Sequence, residues 1–145
     1  MNIDLTAEQQ NAIKSIVEGI KVKNLPIQTL GGYAGTGKTV IASYLQSIFP
    51  NYAFCAFTGK AANVLRKKGV VNASTIHSLI YKPFKNEDGS VTFRLTDNLG
   101  YDGIVVDESS MVTADIDNDL KYFKVPIIYF GDHGQLPPVG DQFNL

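Results

Sequence analysis

With 145 residues, 44% of them hydrophobic, the chain has the size and composition of one domain able to bury a core. Thirteen basic against fourteen acidic side chains leave a formal net charge of -1, which excludes a global basic field, so any nucleic-acid contact must be local. The single cysteine, Cys55, excludes an internal disulfide and a cysteine-based zinc site, and no apolar stretch approaches the ~20 residues that span a bilayer; a cytoplasmic protein with no membrane partner is expected.

The first element expected is an amphipathic helix. Thr6 stands at a cap position with Gln9 three residues on, and Ile13, Ile16, Val17 and Ile20 recur on one face. Short apolar runs follow at 27–30, 52–57, 104–106 and 127–130, separated by helix-like stretches at 38–48, 60–68, 74–81 and 111–123. This alternation predicts an α/β fold, a parallel sheet flanked by helices. Cys55 falls in the second run and reads as core packing. Residues 83–96 break the pattern: 86–89 is a turn signal, and Val91, Phe93 and Leu95 alternate with polar residues, so an inserted β-hairpin is expected. Residues 141–145 follow Pro137-Pro138 without a closing element, and the expectation is a chain that forms part of something longer.

Gly32-Tyr33-Ala34-Gly35-Thr36-Gly37-Lys38-Thr39 fits GxxxxGKT, placed after an apolar strand and before a helical stretch. Glycines let backbone amides curl round phosphates; the Lys38 ammonium can bridge the β- and γ-phosphates, and the Thr39 hydroxyl can ligate magnesium. A glycine-rich turn that only resembles such a loop is the competing reading, and the flanking strand and helix weigh against it.

The run 104–106 ends in Asp107-Glu108, and the run 127–130 leads to Gly131-Asp132. In a parallel sheet such ends open on the crevice that holds the phosphates. Asp107 is then placed to hold magnesium through water, and Glu108 to polarise the water that attacks the γ-phosphate. Either carboxylate alone would read as a solvated strand end; the pair beside a phosphate loop favours the functional reading. Gln135 carries an amide able to sense the γ-phosphate or orient the water, with a solvated loop glutamine as the alternative.

These residues, in this order, resemble the first motor domain of a superfamily 1 helicase of the RecD-like and Dda-like kind, a P-loop NTPase fold of RecA type. Leu5 to Gln9 resembles the family's Q motif, so Gln9 inherits the reading of the adenine edge beside its capping role. Gly32 to Thr39 matches motif I, implying that Gly32, Ala34, Gly35, Thr36, Gly37, Lys38 and Thr39 bind ATP with magnesium. Asp107-Glu108-Ser109-Ser110 resembles motif II. The stretch from Gly131 to Val139 resembles motif III, with the GDxxQLPPV pattern the most specific match. Residues 57–62 resemble motif Ia and residues 74–79 the motif Ib region, both of which touch single-stranded DNA in the family. On the residues alone, Thr58 and Lys60 read as well as a helix cap with a solvated lysine, and Thr75 and His77 as a capped, packed short helix; only the resemblance turns them toward nucleic acid. The hairpin matches the position of the family's small inserted domain, and an exposed Phe84 or Phe93 could stack on a base or pack within the hairpin.

The resemblance stops just after motif III. A second RecA-like domain, with arginines that stabilise charge on the γ-phosphate, is what the family's motor further requires, and other subunits of a repair or replication complex are further partners it suggests. This chain has only Arg66 and Arg94, neither in such a motif. The expectation is one RecA-like domain over 1–145, half of a motor and inactive as a helicase alone. A small-molecule P-loop kinase, which needs a lid with arginines, and a non-catalytic nucleotide-dependent binding module are the alternatives.

Overall fold

The computed structural model describes residues 5–31, 36–108 and 111–131, with the side chains of Thr36 and Gly37 excepted. The chain begins with α1 (Ala7–Lys21), β1 (Ile27–Leu30), α2 (Thr36–Ile48), β2 (Tyr52–Ala56) and α3 (Gly59–Lys67). It continues through β3 (Ser74–Thr75), α4 (Ile76–Ile80), β4 (Tyr81–Lys85), β5 (Val91–Leu95), β6 (Gly103–Asp107), α5 (Ala114–Lys121) and β7 (Ile127–Phe130). Five strands form one parallel sheet in the order β1-β7-β6-β2-β3; β4 and β5 pair antiparallel as a separate hairpin. This is the α/β architecture expected from the alternation of apolar runs and helices.

The strands that carry the candidate site are buried on both faces, which is why they read as continuous apolar runs rather than alternating ones. Side chains still alternate between two cores. Phe54, Val105, Ile128 and Phe130 face Ile13, Ile16, Ile41, Leu45 and Leu65 of α1, α2 and α3. Cys55, Ile104, Val106, Ile127 and Tyr129 face Ile76, Ile80, Ile116 and Leu120 of α4 and α5. Cys55 is the core residue expected: its Sγ–H points at the Val105 carbonyl 3.5 Å away, and burial pushes its pKa up, which keeps the thiol protonated and inert.

Local chemistry sets the element ends. The capping box at α1 forms as expected, the Thr6 hydroxyl accepting from Gln9 N and the Gln9 amide oxygen accepting from Thr6 N, both at 3.0 Å. Adjacent strands β1 and β7 are entered by the same device. Asn24 (φ 53) and Lys124 (φ 56) turn left-handed after their helices, and Leu25-Pro26 and Val125-Pro126 then lead into paired Ile27 and Ile127. Ile127 N bonds the Pro26 carbonyl at 3.0 Å, and Ile104 N the Pro126 carbonyl at 2.9 Å, so each proline accepts where it cannot donate.

Two expected helices are shorter than their periodicity suggests. The helix predicted over 74–81 is the five-residue α4, because Ser74 and Thr75 extend the ladder beside Cys55 and Ala56 while Tyr81 opens the hairpin. The helix predicted over 111–123 is confined to α5, because Thr113 is its N-cap, its Oγ1 accepting from Ile116 N at 3.2 Å. The hairpin lies where residues 83–96 predicted it, its turn closed by Asn86 N to Ser90 O at 2.8 Å with Gly89 at φ 89.

Candidate functional site

The strand order brings three C-terminal ends side by side. β1 runs into Gly31 and the phosphate loop, β6 ends in Asp107, and β7 runs into Gly131. Gly131 N bonds the Leu30 carbonyl at 2.9 Å, tying the start of the third motif to the start of the first. Gly32, Ala34 and Gly35 of the loop, and Gln135 beyond β7, lie outside the described residues; Thr36 and Gly37 are described only as the opening backbone of α2.

Lys38, in the first turn of α2, and Asp107, at the end of β6, meet across this crevice. Nζ lies 3.3 Å from Oδ1, with side chains 11% and 16% exposed. The contact is an ion pair and not a hydrogen bond, since Oδ1 is buried and accepts none among the described residues. A buried carboxylate oxygen without a donor is the arrangement a divalent cation satisfies, so the donor set fits magnesium. Thr39 sits beside this pair in a narrow crevice that Phe54, Val105 and Phe130 also line. Glu108 follows with φ 55, a left-handed conformation unusual for a non-glycine residue, and backbone strain of this kind concentrates at functional sites.

Gln9 sits at the start of α1, where the capping box uses its amide oxygen and leaves the Nε2 donors outside the box. Thr58 caps α3, its Oγ1 accepting from Ala61 N at 3.1 Å, with Lys60 exposed beside it. Thr75 caps α4, accepting from Ser78 N at 3.1 Å, and exposed His77 packs its ring 5.1 Å from that of Tyr81. The capping alternatives for both threonines are thus present. Because Ala56 pairs with Thr75, the two segments also leave neighbouring strand ends on the same side of the sheet as Asp107.

Sequence reasoning missed two features. Arg94, set aside for want of a motif, stacks its guanidinium 3.5 Å from the Phe84 ring centroid, a diagonal cross-strand pair that alternation in the hairpin could have indicated. Phe93, 69% exposed, lies on the opposite face. The acidic residues of α5 were also passed over: Asp117 accepts from the Tyr129 hydroxyl at 2.5 Å, and Asp119 from the Tyr81 hydroxyl.

A family model described as an AAA domain matches residues 9–141. The chain is 34% identical to an uncharacterized protein of Acanthamoeba polyphaga mimivirus, over 95% of this chain and 34% of that protein. It is 31% identical to the ATP-dependent DNA helicase dda of Enterobacteria phage T4, over 94% of this chain and 33% of that one. Among solved structures, the Pif1 helicase from Bacteroides superposes with a TM-score of 0.63 at 29% identity, covering 94% of this chain and 34% of that one. The chain therefore spans about one third of the length of each of these three relatives. Among the described residues no helix is long and apolar enough to cross a membrane. The chain belongs to the AAA domain family, as a P-loop domain of the kind that forms the N-terminal motor domain of superfamily 1 helicases.

Proposed function

We propose that the chain is the ATP-binding motor half of a DNA helicase of the RecD-like type, which couples ATP hydrolysis to travel along single-stranded DNA and to duplex unwinding. The observation that carries this reading is the meeting of Lys38, in the first turn of α2, with Asp107 at the C-terminal end of β6, beside Glu108. In the proposed site Lys38 moves from Asp107 onto the β- and γ-phosphates, and the amides of residues 32–37 hold their oxygens. Thr39 and Asp107 would hold magnesium, which supplies charge neutralisation between the phosphates. Glu108 takes the proton of the attacking water as its oxygen bonds the γ-phosphorus and the bridging oxygen leaves with the β-phosphate. Gln135 orients that water, and Gln9 offers its Nε2 donors to the adenine edge.

Thr58, Lys60, Thr75 and His77 form one grip on a single strand, and the hairpin offers an aromatic on each face for a base at a duplex junction, Phe84 under Arg94 on one and exposed Phe93 on the other. A kinase would need arginines over the phosphates. Arg66 is instead bonded to the Ala73 carbonyl at 2.7 Å, and Arg94 is stacked on Phe84.

A two-domain motor closes the triphosphate between its halves and steps by changing the distance between two grips. One half leaves the γ-phosphate open to water on its other side, without arginine. The purified chain is therefore expected to bind ATP weakly, to show little DNA-stimulated hydrolysis and to unwind nothing. Steady-state ATPase and single-turnover unwinding, with and without a single-stranded oligonucleotide at low salt, test this; robust unwinding by the chain alone overturns the half-motor reading.

A further inference from the structure

Helix α5 is tied to the rest of the molecule by polar bonds on two sides. Asp117, 1% exposed, accepts from the Tyr129 hydroxyl at 2.5 Å and pairs with Lys121 at 2.8 Å. Tyr129 lies in β7, two residues before Gly131, on the strand that leads to the third nucleotide motif. One half-turn on, Asp119 accepts from the Tyr81 hydroxyl. Tyr81 caps the C-terminus of α4, its N–H bonding the His77 carbonyl, and it is the first residue of the hairpin. Its ring packs against that of His77. An unbroken series of contacts thus runs from His77 through Tyr81 and Asp119, along α5, to Asp117 and Tyr129.

The two tyrosine bonds differ in what burial demands. Tyr129 is fully buried, and its hydroxyl would be costly without a partner. Tyr81 is only half-buried, so water could satisfy its hydroxyl and a phenylalanine would fold as well. Its bond to Asp119 is therefore a means of orientation and not a requirement of the core. α5 suits the part of a rigid link: it is capped at Thr113 and anchored in the apolar layer by Ile116 and Leu120.

We propose that Tyr81 and Asp119 are positioning residues that couple the strand-gripping segment at His77 and the root of the hairpin to the nucleotide-facing strand β7, with α5 as the link between them. This rests on the function proposed above. Coupling between two sites is reciprocal, so each ligand must tighten the other by the same factor.

The experiment is a thermodynamic cycle on the purified chain. Affinities are measured at low salt for a non-hydrolysable ATP analogue with magnesium and for a fifteen-nucleotide oligothymidylate, each with and without the other. The expected result is mutual tightening by about fivefold or more. Tyr81→Phe should bring that factor close to one, while each ligand taken singly binds within about twofold of its original affinity, an effect that a merely structural role would not produce. Asp119→Asn keeps an oxygen that accepts from the phenol and should retain most of the coupling; Asp119→Ala should lose it. Unchanged coupling in Tyr81→Phe, or two ligands that bind without coupling in the parent chain, overturns the link and leaves the proposed function standing. An oligonucleotide that does not bind at all overturns both.

Discussion

Lys38 Nζ lies 3.3 Å from Asp107 Oδ1, so the ammonium expected on the phosphates rests against the carboxylate expected on the metal. In the proposed site a triphosphate with magnesium draws the ammonium to the phosphates and gives Oδ1 a cation. Lys38→Ala should therefore abolish nucleotide binding in a calorimetric titration with ATP and magnesium. It also leaves Asp107 shielded without its partner, so the urea midpoint should fall by the equivalent of about 1–3 kcal/mol with the fold intact. Undiminished affinity would remove the phosphate-loop assignment.

Glu108 combines a left-handed backbone, φ 55, with the role of general base proposed for it. Asparagine tolerates that conformation better than glutamate does. Glu108→Asn should lower residual hydrolysis per bound nucleotide by ~10² or more while raising stability by up to about 1 kcal/mol. Glu108→Gln, which keeps the length of the side chain, should lose hydrolysis equally with stability unchanged. Single-turnover hydrolysis and urea unfolding separate the two effects; turnover that survives in both variants would assign the base elsewhere.

Tyr129→Phe removes the donor that bonds buried Asp117 and leaves Lys121 as its ion-pair partner. The expected loss is about 1–3 kcal/mol, read as a lower urea midpoint with an unchanged slope. A loss below about 0.5 kcal/mol would mean that water replaces the phenol at this depth.

Burial, then the bond to Asp119, then the charges of Asp119 and Asp115, push the Tyr81 phenol up from 10.0 to about 12. The folded state holds this proton more tightly than the unfolded state. Its contribution to stability is complete below about pH 10 and is lost as the pH rises through about 12. Tyr129 is raised as well, by burial first and Asp117 second, so the parent chain should weaken steadily across this alkaline range. Tyr81→Phe should show a shallower decline in urea midpoint over the same range, and an identical slope would show that the phenol titrates alike in both states.

Much of this was legible in the sequence because the signals were local. The β1 and β7 runs, the cap at Thr6 and the hairpin turn at 86–89 each depend on neighbours a few residues apart. The phosphate loop and the Asp107-Glu108 pair were read for the same reason, as short patterns at strand ends. What periodicity could not give was tertiary competition for backbone bonds. Ser74 and Thr75 carry no apolar alternation, and they become β3 only because β2 offers Cys55 and Ala56 as ladder partners. The bonds from Asp117 to Tyr129 and from Asp119 to Tyr81 span 12 and 38 residues, and nothing in the local pattern announces them.

The two-sided burial of β6 and β7 also bears on amide hydrogen exchange. Amides in these strands are laddered to neighbours on both edges and covered by helices on both faces, so their protons should exchange only when the whole domain opens. The hairpin is different: among the described residues its strands pair only with each other and most of their side chains face solvent, so it should open alone at far lower free energy. Asp107 thus ends a strand expected to be among the slowest to exchange, while Phe84, Phe93 and Arg94 are borne on the paired strands expected to exchange fastest. The carboxylate is rooted at the end of a strand that local opening should spare, and the hairpin aromatics are carried where local opening is cheapest.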